Sequence, residues 1–278
     1  MQDVEPGMVV TPETLDMHLS TLKKWATPVD LAEWCERKNK GLPLPQRAVA
    51  ITFDDGWLDN YQYAWPIIQK HQFPATIFLV TDWIATSNSF WPERLARLIR
   101  KSIESGIYPL QHDSFEWLSP ALKQIGFPEA PKQGPDREQL SKLFAFCKHW
   151  PDLEIINRIA ETELRLGISA PSEPVLLNWE QVRQMRESGL VSFGSHTCRH
   201  VRLNDNIEHN LAEYEITQSK NTLSESLGEP VSLFCYPNGD YNFASLTATK
   251  ANYAGAVTTK RGYNSINSDM HQLLRVGV

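Results

Sequence analysis

The run Ala48-Val-Ala-Ile-Thr-Phe53 is short, apolar and rich in β-branched residues, and Ala75-Thr-Ile-Phe-Leu-Val80 repeats that character after a helical interval at residues 58–71. Strands apolar on both faces and joined through a helix belong to parallel sheets, because a parallel partner is reached only by a long crossover. The alternation resumes beyond residue 175. Helices are predicted at 178–188, 206–227 and 242–251, and strands at 190–193, 231–235, 254–257 and 273–276. Right-handed crossovers between such units give an α/β architecture with helices packed on the sheet.

Two segments stand outside that rhythm. Residues 11–39 read as helical, opening on the cap Thr11-Pro12-Glu13 with Leu15, Leu19, Leu22 and Trp25 on one face, and Gly41-Leu-Pro-Leu-Pro45 ends the stretch. Residues 86–175 carry helical apolar spacing at Leu95, Leu98 and Ile99 and again at Leu140, Leu143 and Phe144. They are broken at Pro128, Pro131, Pro135, Pro171 and Pro174. The expectation is one domain over 1–278 with a helical insertion at about 86–175, which serves as packing, lid or partner surface.

A formal net charge of −6 and the lack of any Lys/Arg run argue against a nucleic-acid partner and against acidic polymers, but raise no objection to a neutral polysaccharide. No apolar run approaches the ~18 residues of a membrane span. The start, MQDVEPGMVVTPETLD, has neither a basic region nor an apolar stretch, so it predicts no signal peptide and a cytoplasmic location. A native start further upstream would make the location extracytoplasmic. Cys35, Cys147, Cys198 and Cys235 lack paired metal spacing and read as reduced thiols, with a Cys198–Cys235 contact left open.

Three strand ends carry the chemistry. Asp54-Asp55-Gly56 follows the first strand, at the rim where parallel α/β proteins build their sites. Adjacent carboxylates repel unless a cation or proton intervenes, although Asp-Asp-Gly is also a good turn with a helix cap. His196-Thr-Cys-Arg-His200 follows another strand, and on a helical backbone its spacing turns both imidazoles to one face. Gly194 before it reads as the tight exit from strand to loop. Two imidazoles and one carboxylate leave positions open for water and substrate, as a hydrolytic metal site requires. Phe234-Cys-Tyr-Pro-Asn-Gly239 ends a third strand, either as an ordinary turn or as a loop aiming backbone N–H groups at an oxyanion.

Together these three elements resemble the polysaccharide deacetylase family, over about 45–85 and 176–278 and more loosely 8–45, without the insertion. The resemblance implies a distorted (β/α) barrel with fewer than eight strands and the metal-dependent removal of N-acetyl groups from an oligo- or polysaccharide. It implies Asp54 as general base, Asp55, His196 and His200 as ligands of a divalent metal, usually zinc, and the Asn238 backbone N–H as oxyanion donor. Thr197 would support its loop by hydrogen bonding. In many members an arginine in the third motif orients the base; the aligned residue here is Cys235. The family's acid histidine has no counterpart in Leu273-Leu-Arg-Val-Gly-Val278. His18, His112 and His271 are the replacements to weigh, and a surface role is the expectation for each. Trp57, Trp83 and Trp91 serve either as sugar platforms or as core. The missing acid keeps open a metal-containing carbohydrate-binding protein without turnover, and the family's chemistry keeps open an amidase for a non-sugar C–N bond.

Overall fold

The computed structural model describes residues 10–169 and 174–277; Pro171 and most of the start used for the export reading lie outside them. The described chain forms two compact units: one runs to Thr86 and resumes at Pro174, and the other takes the stretch between.

In the first unit α1 (Pro12–Trp25) starts where the Thr11 hydroxyl accepts the N–H of Thr14, with proline in the first turn. The single helix expected over 11–39 is two. The chain extends at β1 (Thr27–Pro28), and Asp30 then caps α2 (Leu31–Asn39) by accepting the N–H of Glu33. Proline has no N–H to continue a helix, and Asp30 offers a fresh start two residues on. The 48–53 run also divides: β2 (Ala48–Val49) pairs with β1, whereas β3 (Ile51–Phe53) joins the main sheet. A π-helical turn over Asn60–Ala64 leads into α3 (Trp65–His71), and β4 (Ala75–Leu79) follows.

The second unit contains α4 (Trp91–Glu104), α5 (Ser119–Gln124), α6 (Arg137–Cys147) and α7 (Asp152–Leu166). Leu95, Leu98, Ile99, Phe115, Leu143 and Ile155 share one core. Trp91 belongs to that core, edge-on to Phe144 at 5.5 Å between ring centroids, so it is no sugar platform. Glu163 is paired by both Arg94, at 2.6 Å, and Arg97.

Back in the first unit come α8 (Trp179–Glu187), β5 (Val191–Ser195), α9 (His209–Leu227), β6 (Leu233–Cys235), α10 (Phe243–Asn252), β7 (Gly255–Arg261) and β8 (Leu273–Arg275). The six strands β3 to β8 lie in chain order and pair parallel throughout. The sheet curls into a half-barrel: its edge strands β3 and β8 share no ladder, yet Arg275 of β8 reaches Asp54 just after β3. On the inner face Phe78, Leu233, Cys235, Val257 and Leu273 pack with Leu31 and Cys35 of α2, which fills the curl. No helix among the described residues is long and apolar enough to cross a membrane.

Gly194 has a role the sequence reading misplaces. It lies within β5 opposite Phe78 of β4, and a Cβ there would come 2.5 Å from the Phe78 ring and 3.1 Å from the Leu233 carbonyl oxygen. The missing side chain makes room for the ring two residues before His196. Gly194→Ala is therefore expected to cost about 1–3 kcal/mol through overpacking, read as a lower Tm on thermal unfolding. An unchanged Tm would mean that Phe78 yields freely.

Candidate metal centre

Each motif sits just beyond the C-terminal end of a strand. Asp54 and Asp55 follow β3, residues 196–200 follow β5, and the 3₁₀ turn Pro237–Gly239 follows β6. These loops hold Asp55 (φ 74°), Thr197 (φ 66°), His200 (φ 55°) and Asn238 (φ 55°), non-glycine residues in the left-handed region. Each such conformation costs on the order of 1–3 kcal/mol unless its surroundings impose it, and strain of this kind gathers at functional sites.

The surroundings here do impose it. Leu177 donates its N–H to the Gly56 carbonyl and Leu58 donates to Val175, pinning the Asp loop against one returning segment of the chain. The Trp57 indole N–H donates to Asp55 Oδ2 at 3.0 Å. Trp57, partly buried, thus orients a carboxylate through its ring edge, and Trp83 is buried. On the other loop His196 Nδ1 lies 2.7 Å from the Cys235 carbonyl oxygen, which accepts its proton and leaves Nε2 as the free donor atom.

With both neighbours fixed, Asp55 Oδ1 lies 3.4 Å from His196 Nε2 and 3.4 Å from His200 Nε2. Oδ1 is buried and accepts no hydrogen bond among the described residues. The three donor atoms fall within 4.8 Å of one another. A buried carboxylate oxygen facing two imidazole nitrogens is costly without a cation. Ligands about 2.0–2.1 Å from a tetrahedral ion stand about 3.3–3.4 Å apart, so the two measured spacings fit one. The expected helical presentation of the histidines is not what achieves this. Residues 196–200 form a turn with two left-handed residues, and the rings meet edge to face at 4.9 Å.

Asp54 turns to Arg275 while staying within 4.8 Å of the His196 ring. Arg275 Nη1 donates to its Oδ1 and Nη2 to its Oδ2, both at 2.7 Å, and Nη1 also lies 3.3 Å from the Thr52 hydroxyl. Burial pushes the Asp54 carboxyl up, but the guanidinium charge and its two hydrogen bonds outweigh it and hold the pKa down at about 2. The fork missing from the third motif is thus supplied by the last strand. Its sequence signal was a lone arginine in an otherwise apolar strand. Cys235, at the aligned position, donates its thiol to Asp54 Oδ1 at 3.5 Å, and burial keeps that thiol protonated. Asp54, His196 and Cys235 also cluster closely enough to hold an ion. Their donors are already committed, to Arg275, to the Cys235 carbonyl and to a proton respectively, so the Asp55 triad is the better receptor.

The remaining candidates divide. Thr197 supports its loop through the backbone, its carbonyl accepting the N–H of Thr81 at 3.2 Å, whereas its hydroxyl is buried with no hydrogen bond among the described residues. Asn238 is exposed, and its carbonyl accepts from the Thr259 hydroxyl at 2.9 Å. His271 precedes β8, at the opposite end of the sheet from the triad, and donates from Nε2 to the Tyr253 carbonyl. His112 lies in the second unit, where its Nδ1 accepts the N–H of Ser114, and His18 lies on α1.

With this geometry in hand, the comparisons are direct. The sequence profile described as Polysaccharide deacetylase matches residues 41–126 and 154–256, and the chain belongs to the polysaccharide deacetylase family. The match extends further than the motifs did, entering the helical segment from both sides and leaving 127–153 uncovered. Among curated relatives, YxkH of Bacillus subtilis (strain 168) is 30% identical over 87 residues, 31% of this chain and 31% of that protein. The poly-β-1,6-N-acetyl-D-glucosamine N-deacetylase of Escherichia coli (strain K12) is 42% identical over 59 residues, 21% of this chain and 9% of that protein. The chain thus matches a third or less of the length of these relatives. Among solved structures, the Streptococcus pyogenes deacetylase PplD in complex with acetate superposes with a TM-score of 0.61 at 19% identity, covering 99% of this chain and 87% of that one. A de-N-acetylase from Aggregatibacter actinomycetemcomitans gives 0.59 at 18%, covering 98% and 86%. At such identities these structures establish the common fold.

Proposed function

We propose that this chain hydrolyses N-acetyl groups from an N-acetylated oligo- or polysaccharide, with a divalent ion, zinc in first place, held by Asp55, His196 and His200. The observation that carries the reading is the buried Asp55 Oδ1, without a hydrogen bond among the described residues and equidistant from two imidazole nitrogens. A bound ion supplies Lewis acidity, polarising the acetyl carbonyl and lowering the pKa of the attacking water to about 7. Asp54 would accept a proton from the attacking water. Arg275 occupies one lone pair on each Asp54 oxygen and the Cys235 thiol takes the second on Oδ1, so Oδ2 keeps one for the water and the carboxylate is aimed while remaining an acceptor. The guanidinium beside it keeps Asp54 ionised, the form that can accept a proton. Asn238, on its left-handed turn at the rim, offers a backbone N–H to the developing oxyanion.

Acetate release from oligomers of N-acetylglucosamine, with zinc or cobalt added, tests the reading directly. A second reading is favoured by one observation. Among the described residues His271 and His112 are engaged away from the triad, and the leaving amine needs a proton. A protein that binds zinc and the oligomer yet releases no acetate would be a carbohydrate-binding member without turnover.

Arg275 has its own expected effect. Arg275→Met leaves Asp54 half-buried without its counter-ion, so the carboxyl rises from about 2 and the acid limb of the activity profile moves to higher pH. Because a misaimed base costs up to about 10²-fold, kcat should fall by roughly that factor with KM little changed. A variant with the wild-type profile would show that Arg275 serves the sheet and not the base.

A further inference from the structure

Helix α9 presents a buried acid to the histidine loop. Glu215 has no solvent exposure. Its Oε2 accepts the backbone N–H of Cys198 at 2.9 Å and of Arg199 at 3.0 Å, and its Oε1 accepts Arg199 Nε at 2.7 Å. One turn further along α9 the Ser219 hydroxyl meets that of Ser195 at 2.6 Å, so the same helix face also holds the end of β5. The two N–H groups that Glu215 receives lie between His196 and His200. They belong to a turn that would otherwise relax, since Thr197 and His200 at its ends are both left-handed. Burying a carboxylate is expensive, and burial pushes Glu215 upward in pKa. Three converging donors, one of them the Arg199 guanidinium, offset that cost.

From this arrangement we infer that Glu215 is a positioning residue for the metal centre: it sets the separation of the two imidazoles and thereby the affinity for the ion. The inference rests on reading Asp55, His196 and His200 as the ion's ligands, and it adds an acid that none of the three motifs contains. It acts through the loop backbone, unlike the usual outer partner that bonds a ligand's ring nitrogen.

Glu215→Gln is the sharpest variant. An amide can place its oxygen toward the two backbone N–H groups, but its NH₂ then faces Arg199 Nε, donor against donor. Leu223→Ala, in the same helix and fully buried, is the control for lost packing alone. Zinc affinity is measured by competition with a chromophoric chelator on the whole chain, with Tm recorded for each variant and the absorption spectrum of the cobalt-loaded forms compared. Glu215→Gln should weaken zinc binding by about 10–100-fold, as loss of an outer partner does, and perturb the cobalt bands. Leu223→Ala should lower Tm with zinc affinity unchanged. Equal affinity in Glu215→Gln and wild type overturns the inference, as does an equal loss in Leu223→Ala. Absence of zinc binding in the wild type overturns instead the ligand assignment beneath it.

Discussion

Asp54→Asn is expected to lower acetate release by about 10²–10⁴-fold, the range that a positioned acid or base contributes, while the protein retains its full complement of zinc. The amide can still accept from one arm of Arg275 but turns a donor toward the other, and it cannot take a proton from water at neutral pH. Loss of one arm of that pair costs on the order of 1–3 kcal/mol, so the folded protein should remain available for assay. Metal content measured on the purified variant separates the two adjacent carboxylates: Asp54 faces Arg275 and Asp55 faces the histidines. Turnover at the wild-type rate would remove Asp54 from the mechanism. Loss of zinc would mean that the division of labour between the two is wrong.

His196→Ala should act in the opposite order. It removes the imidazole whose tautomer the Cys235 carbonyl fixes, and with it one of the three donors that the described residues bring to the Asp55 cluster. Zinc affinity should fall by more than the about 10–100-fold that loss of an outer partner costs, and activity should disappear with it. Stripping the wild type with a chelator should produce the same inactive state, and zinc or cobalt should restore the wild type but not the variant. A stripped enzyme that still releases acetate would rule out a role for the ion in turnover.

How far these arguments were available from the sequence depends on distance along the chain. Most strands of the main sheet were legible because they are short apolar runs beside helical stretches, and β4 is buried along its whole length. The two acidic residues and the two histidines were legible because each pair is contiguous or nearly so, and each follows such a run. Arg275 was not, because its partner Asp54 is 221 residues away and no local pattern announces that a sheet curls until its edges meet. Glu215 was hidden for a related reason. Acids are common on helices, and only the packing of α9 against the loop shows that this one is buried. The break at Pro28 and the division of the 48–53 run were missed because apolar periodicity passes smoothly across both. The role of Trp57 turned on which way its indole points, which composition cannot say.

The join between Asp54 and Arg275 has a consequence of another kind. Every other neighbouring pair of strands in the main sheet is held by backbone groups, which all residues but proline carry alike. Among the described residues the two outer strands share no ladder and meet through the Arg275 side chain, and side chains are what mutation changes. Selection can thus alter the base's partner, or the strand that supplies it, without rebuilding the sheet. Here that partner is Arg275 of β8, with the Cys235 thiol of β6 beside it. The open side of the half-barrel is where this architecture is easiest to retune.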